Sequence, residues 1–387
     1  MILMSPTTIT LFVGAGASRY FGVPTANAIA HQIVDDVLAS SSGTLLRGIK
    51  DVYEEPLREL LRKFLLRTFP AIKSHTTERP SITDILSIVD YAIATDTNLP
   101  FDLNDGSVFD MHEVRRALEH CIMKIIDRPQ KEARIKSTLT DMKRNVKAWT
   151  EKDQHEFTLI STNYDTIMDR VMYDVQSEFK EDQRASADLG TSFRLRFGIK
   201  GRLISRNAEA PKRLYKLHGS LNWLMCPACE NIYIASVDEN LTKYVGNTYG
   251  VSELNDCHCG HAPLRPLIIS PSYVRDVRAT ALREIWRSAQ EALRTSGVWI
   301  FVGYSLPAED VAIRSMIARA RMSISGLKGK RKVHVYDVSQ GRDGNAPEVE
   351  ARYRIFLQSD DTEITYHNGG MEEFLDDIRN GFDTILK

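Results

Sequence analysis

Long apolar runs are missing from this chain. No stretch approaches the ~18 apolar residues that a spanning helix needs, so no membrane segment is expected. A surplus of one charge is missing too. Fifty Lys and Arg against 51 Asp and Glu leave a formal net charge of -1, which supplies no global drive toward nucleic acid or an anionic membrane. There is no internal repeat and no low-complexity tract, which argues against a solenoid or a disordered chain. Cysteine is scarce, with five in 387 residues. Four of the five are clustered, which suits a metal site in a reducing, cytoplasmic setting better than a disulfide framework.

What is present reads as a globular α/β chain. A hydrophobic share of 43% and a charged share of 26% are ordinary, and 387 residues can bury a sizeable core, expected as one domain over 1–387. Strands are expected at Thr8–Val13, Phe157–Ser161, Leu214–Leu217, Pro266–Ile269, Val298–Val302 and Val333–Asp337. Helices are expected at Ala26–Leu38, Tyr164–Val175, Val277–Arg294 and Ala308–Met322, with a terminal amphipathic helix at Met371–Leu386. Their alternation predicts a Rossmann-like, doubly wound parallel sheet. Two insertions interrupt it: a helical one over 45–152, with apolar Ile82, Ile85, Leu86 and Val89 at helical spacing, and a cysteine-bearing one over 223–265. The polar stretch Lys180–Ala210 has no clean period and reads as an irregular loop. Met1–Val13 is apolar, and Ala15-Gly16-Ala17 imitates a leader cleavage site. With no basic segment ahead of it, and with Pro6 early, it reads as the first buried strand instead. Basic clusters at Arg194–Arg213 and Arg314–Lys332 read as solvated faces or a protein interface.

Three motifs carry chemistry. Gly14-Ala15-Gly16-Ala17-Ser18 ends an apolar run and opens a helix, the arrangement that lets a phosphate approach backbone N–H groups at a helix start. Ser18 adds a hydroxyl, and Gly303-Tyr304-Ser305 repeats a glycine turn after Val298–Val302. Asp337 ends another strand and is placed to meet the adenosine half of a dinucleotide. Ser161-Thr162-Asn163-Tyr164-Asp165 and Leu217-His218-Gly219-Ser220 put an amide, a carboxylate and an imidazole at strand ends. Each has a plain structural alternative, Asn163 and Asp165 as helix caps and His218 as a turn residue. Cys226-x-x-Cys229 followed by Cys257-x-Cys259 suits tetrahedral zinc closed by four protein ligands, hence a structural site. The tighter second pair leaves open that His258 or His261 replaces a thiolate. Cys121, in a helical stretch, is expected in the core.

In this order, with Gly22-Val23-Pro24 after the first turn and cysteines after the third, the motifs resemble the sirtuin family of NAD-consuming enzymes. The resemblance implies NAD+ as substrate, contacted by Gly14, Ala15, Gly16, Ala17, Ser18, Pro24, Thr162, Gly303, Tyr304, Ser305 and Asp337. It makes His218 the base, has Asn163 hold the ribose hydroxyls and a water, and gives Asp165 the nicotinamide pocket. Three departures separate the chain from protein deacylases. Thr25-Ala26-Asn27 replaces Asp-Phe-Arg, Ser270-Pro271-Ser272 follows Leu264-Arg265-Pro266 where a peptide would pair, and Thr-Asn-Tyr-Asp replaces Gln-Asn-Ile-Asp. These variants resemble bacterial sirtuin-like effectors of anti-phage defence that hydrolyse NAD+ to nicotinamide and ADP-ribose in abortive infection. That resemblance implies an NAD+ glycohydrolase held in check as a homo-oligomer or by a separately encoded partner, a HerA-type hexameric ATPase or a short Argonaute. It implies no sequence-specific nucleic-acid binding. The alternatives are a lysine deacylase and a non-catalytic scaffold that binds NAD or ADP-ribose. No residue discriminates NAD from NADP.

Overall fold

The computed structural model describes residues 8–39, 43–46, 51–74, 78–101, 106–127, 133–151, 156–172, 187–196, 201–235, 257–260, 264–269, 279–322, 330–338 and 346–380. His261, Ser270-Pro271-Ser272 and parts of the two basic clusters lie outside these residues.

The centre is a parallel sheet of seven strands: β1 (Thr8–Val13), β2 (Glu156–Ser161), β3 (Ala187–Asp188), β6 (Lys212–Lys216), β10 (Val298–Val302), β11 (Arg331–Tyr336) and β12 (Thr362–His367). Their order is β12-β11-β10-β1-β2-β6-β3, and every pairing is parallel. β1 takes the middle because it is buried on both faces: Ile9, Leu11 and Val13 on one, Thr10 and Phe12 on the other. Flanking helices include α8 (Thr280–Thr295) and α11 (Gly370–Arg379), which pack on β1 and β6 and on β10 and β11 respectively. The expected doubly wound α/β fold is present.

Between β1 and β2 the chain forms α1 (Ala15–Arg19), α2 (Ala26–Leu38), α3 (Asp51–Thr68), α4 (Ile82–Thr95), α5 (Met111–Asp127) and α6 (Ala133–Glu151). α4 opens on an N-cap, where the Asp84 amide donates to Ser81 Oγ at 3.0 Å, and it buries Ile82, Ile85, Leu86 and Val89 on one stripe. Cys121 is buried in α5, and that burial pushes its thiol up to about 12.

A second sheet, β5-β4-β8-β7-β9, uses β4 (Phe193–Leu195), β5 (Leu203–Ile204), β7 (Gly219–Met225), β8 (Ile232–Ile234) and β9 (Arg265–Ile268). Two expectations change here. The segment at Pro266 runs antiparallel to β7 in this small sheet rather than in the parallel one. The stretch taken as an irregular loop holds β3, β4 and β5 among its described residues. Three arginines of the basic cluster Arg194–Arg213 are engaged within the chain: Arg194 with Asn231 and the Gly201 carbonyl, Arg206 with Asp188 through two bonds, Arg213 with Glu156. Among the described residues the other α-helices are α7 (Ile167–Met172), α9 (Val311–Met322) and α10 (Ala346–Leu357).

Candidate functional site

Five neighbouring parallel strands release the chain at their C-terminal ends, in the spatial order β11, β10, β1, β2, β6. The residues that follow are Asp337, Gly303, Gly14, Thr162-Asn163 and Leu217-His218. The winding reverses between β1 and β10, where loops part and an open α/β sheet forms its crevice. A cavity of about 410 Å³ opens there. Ala15, Gly16, Ser18, Pro24, Thr162, Asn163, Asp165, His218, Gly303, Tyr304, Ser305 and Asp337 all line it. Gly14 and Ala17 do not: Ala17 is buried behind the turn. The helical insertion adds an apolar wall of Ile82, Ile122 and Ile126 that sequence reasoning missed. The stripe that betrays α4 as a helix contains Ile82, but nothing in its spacing says which end meets a cavity.

The two glycine turns lie back to back. Gly14 and Gly16 donate their amides to the Val302 and Gly303 carbonyls at 3.0 and 2.8 Å. These two N–H groups are therefore spent on joining β1 to β10, and a phosphate has to be met by others. Ser18 is also committed: its hydroxyl donates to Asp165 Oδ2 at 2.6 Å and accepts from Asn163 Nδ2 at 2.8 Å. Asn163 Nδ2 gives its second proton to the Gly14 carbonyl at 2.8 Å. A carbonyl only accepts, so the amide orientation is fixed and Oδ1 is left for the cavity. Asn163 therefore presents an acceptor alone to the cavity. Asp165 Oδ1 accepts from the Ile167 amide at 3.0 Å at the start of α7. Burial pushes its carboxyl above the ordinary value, and the Lys216 ammonium and Ser18 hydroxyl pull it back.

His218 sits in the turn between β6 and β7. Its Nδ1 lies 3.1 Å from the Thr162 carbonyl, so Nδ1 carries the proton and Nε2 the lone pair. The Ile269 amide donates to the His218 carbonyl at 2.9 Å, and Trp286 Nε1 donates to the Leu217 carbonyl at 3.0 Å, pinning the backbone on both sides. Gly219 follows with φ +77, and a Cβ there would meet the Leu267 carbonyl oxygen at 1.9 Å. Only glycine lets β7 pass β9 this closely. At the other end, burial pushes the Asp337 carboxyl up, countered by the Val338 amide and Arg352. The cavity's described wall carries Asp165, Glu309, Asp310 and Asp337 and no lysine or arginine.

The four cysteine sulfurs of Cys226, Cys229, Cys257 and Cys259 lie within 4.8 Å of one another. Cys226 to Cys259 is 3.7 Å and Cys229 to Cys257 is 3.4 Å. Tetrahedral zinc with Zn–S bonds of about 2.3 Å sets its sulfurs about 3.8 Å apart, so four thiolates fit the ion. His258 turns its Nδ1 to the Tyr233 hydroxyl at 2.8 Å, and the quartet needs no imidazole. His367, Glu373 and Asp377 form another grouping of ligand atoms. Each already has a structural partner: His367 bonds Glu373 and His334, Glu373 takes the Gly369 amide, and Asp377 takes the Tyr336 hydroxyl. We read it as the lock between β12 and α11.

A family model described as the SIR2-like domain matches residues 158–357, just over half of the chain. This chain belongs to the SIR2-like family. The matched span holds Asn163, His218, the four clustered cysteines, Gly303 and Asp337, and the first glycine turn lies ahead of it. That family supports an NAD-dependent, sirtuin-like function. Among solved structures, that of Sir2Tm bound to a propionylated peptide is similar over 99% of this chain and 95% of that one, at 12% identity and a TM-score of 0.39. No curated protein matches the chain. Among the described residues, no helix is long and apolar enough to cross a membrane.

Proposed function

We propose that this chain is an NAD+ glycohydrolase that cleaves NAD+ to nicotinamide and ADP-ribose. The observation that carries the proposal is the pairing of His218 Nε2, left as the acceptor nitrogen by the bond from Nδ1 to Thr162, with the outward Oδ1 of Asn163 on one cavity. Nicotinamide leaves as a neutral molecule, so its departure needs little acid help. Water then bonds to the anomeric carbon as the C–N bond breaks, and the water's proton passes to His218 Nε2. Asn163 Oδ1 accepts from a ribose hydroxyl or from that water.

Against a peptide substrate stands Tyr164, the residue where deacylases carry isoleucine. Its hydroxyl donates to the Ile269 carbonyl at 2.5 Å, using a backbone acceptor just beyond β9 that an extended peptide would need. The role in anti-phage defence by NAD depletion follows from the sequence resemblance. So do the homo-oligomer and the HerA-type ATPase or short Argonaute partner, because an NADase left on would kill its host.

The test is nicotinamide release from NAD+ by the purified protein, with and without an acetyl-lysine peptide, beside His218→Ala. Peptide-independent release that falls roughly 10²–10⁴-fold in the variant is expected. Release only with peptide would instead make the chain a deacylase, and NAD+ binding without turnover in every arm, candidate activating partners included, would make it a scaffold.

A further inference from the structure

Two residues before His218, a lysine side chain is enclosed in the protein. Lys216 is 1% exposed, and each of its three N–H bonds has an acceptor: the Asp165 carbonyl at 2.5 Å, Asp169 Oδ2 at 2.8 Å and Ser220 Oγ at 2.6 Å. Its carboxylate partner is wholly buried in α7. The acceptors belong to three different pieces of the site. Asp165 lies in the loop that carries Asn163, Asp169 in the helix after it, and Ser220 in the strand that leaves His218. Ser220 Oγ in turn donates to the Tyr164 carbonyl at 3.3 Å, and the Leu221 amide reaches the same carbonyl at 2.8 Å.

A charge in this place is costly. Apolar side chains of similar volume generally do as well or better for stability alone. What an apolar side chain cannot do is hold three oxygens from a loop, a helix and a strand at fixed angles. We propose that Lys216 is a positioning residue of the NAD-cleaving site, clamping the loop of Asn163 and Asp165 in register with the turn of His218. The inference rests on the functional reading above. Through Asp165 the clamp extends to Ser18 and to the amide of Asn163, so the orientation of Asn163 Oδ1 depends on it. It also sets the spacing between Asn163 and His218, the two groups that must meet one anomeric carbon.

The test is the full-length double variant Lys216→Met with Asp169→Asn, which removes both charges of the buried ion pair together. Nicotinamide release from NAD+ and backbone deuterium exchange are both measured on its folded fraction. The expected result is kcat lower by about 10–100-fold, as a misplacement near 1 Å costs, with KM within about threefold of the parent. Exchange of amides 162–166 should quicken about tenfold, while β11 exchanges as in the parent. Parental exchange in 162–166 overturns the proposal whatever happens to turnover, and so does a loosened loop with undiminished kcat. If the double variant does not fold, Ser220→Ala takes its place. It loses one acceptor and the tie to Tyr164, so a fall of about fivefold in kcat and faster exchange in the same loop are expected, with parental values in both overturning the proposal. A parent that releases no nicotinamide, alone or with the candidate activating partners added, sinks the functional reading, and the exchange measurement then decides the clamp by itself.

Discussion

A methyl group on residue 303 would sit 2.1 Å from the Ala17 nitrogen, on a backbone with φ +59. Gly303→Ala therefore meets both a left-handed conformation and a backbone atom that cannot yield. We expect it to cost more than about 2 kcal/mol in urea unfolding. Gly106 has φ +71 with nothing within 4 Å of its would-be Cβ, so Gly106→Ala should lose only about 1 kcal/mol. The difference between the two measures the contact of the glycine turns apart from the φ penalty. At this scale the sequence was legible in position but not in direction. Glycines at strand ends and an Asn-x-Asp after an apolar run each read equally as turn or cap residues, and only their joint order along the chain points to a site. Which way Ser18 sends its proton, and which end of the Asn163 amide faces out, depends on Gly14 and Asp165 arriving from distant parts of the chain. Lys216 gave no signal, because a lysine within a strand reads as a solvated side chain until its three acceptors are in place.

Among elements, the long buried strands and the amphipathic helices were legible because burial on both faces, or on one stripe, writes a strong period into the sequence. β12 was not, since an edge strand of Thr-Glu-Ile-Thr-Tyr-His is only half covered and alternates weakly. α10 and the two- and three-residue strands β3, β4 and β5 are likewise too short or too polar to stand out. β9 was visible as a strand, but its partner was not, because antiparallel pairing with β7 is fixed by the turn at Gly219 and by the cysteine knuckle. That knuckle joins β7 to β8 through Cys226 and Cys229, with Glu230 held at φ +56. Cys257→Ser should lower bound zinc from about one ion per chain to near none by elemental analysis. Heating should then melt the small sheet before the parallel one, seen as early deuterium uptake in β7 and β8.

The whole molecule should be acid-sensitive through one group that no site uses. Burial in α5, with the charge of Lys124 beside it, pushes His120 down to about 4 from 6.5. Between those values the unfolded chain binds a proton that the folded chain refuses. The stabilising contribution is thus complete above pH 6.5 and drains as pH falls toward 4, by about 2 kcal/mol at pH 5. His120→Leu should flatten this slope in urea unfolding at pH 7 and pH 5, and an unchanged slope would assign the acid sensitivity elsewhere. The sheet order has a consequence for the chain while it is being made. β1 sits in the middle, yet its neighbours are residues 156–161 and 298–302. A ribosome adding about 5–20 residues per second leaves β1 waiting on the order of 10 s for its first neighbour and longer still for its second. Throughout that wait a Thr-Ile-Thr-Leu-Phe-Val segment has an apolar Ile-Leu-Val face and two unpaired edges. The yield of native protein is then decided by whatever shelters this strand during translation, and slower growth at low temperature or added chaperone should raise it more than any change to the finished fold.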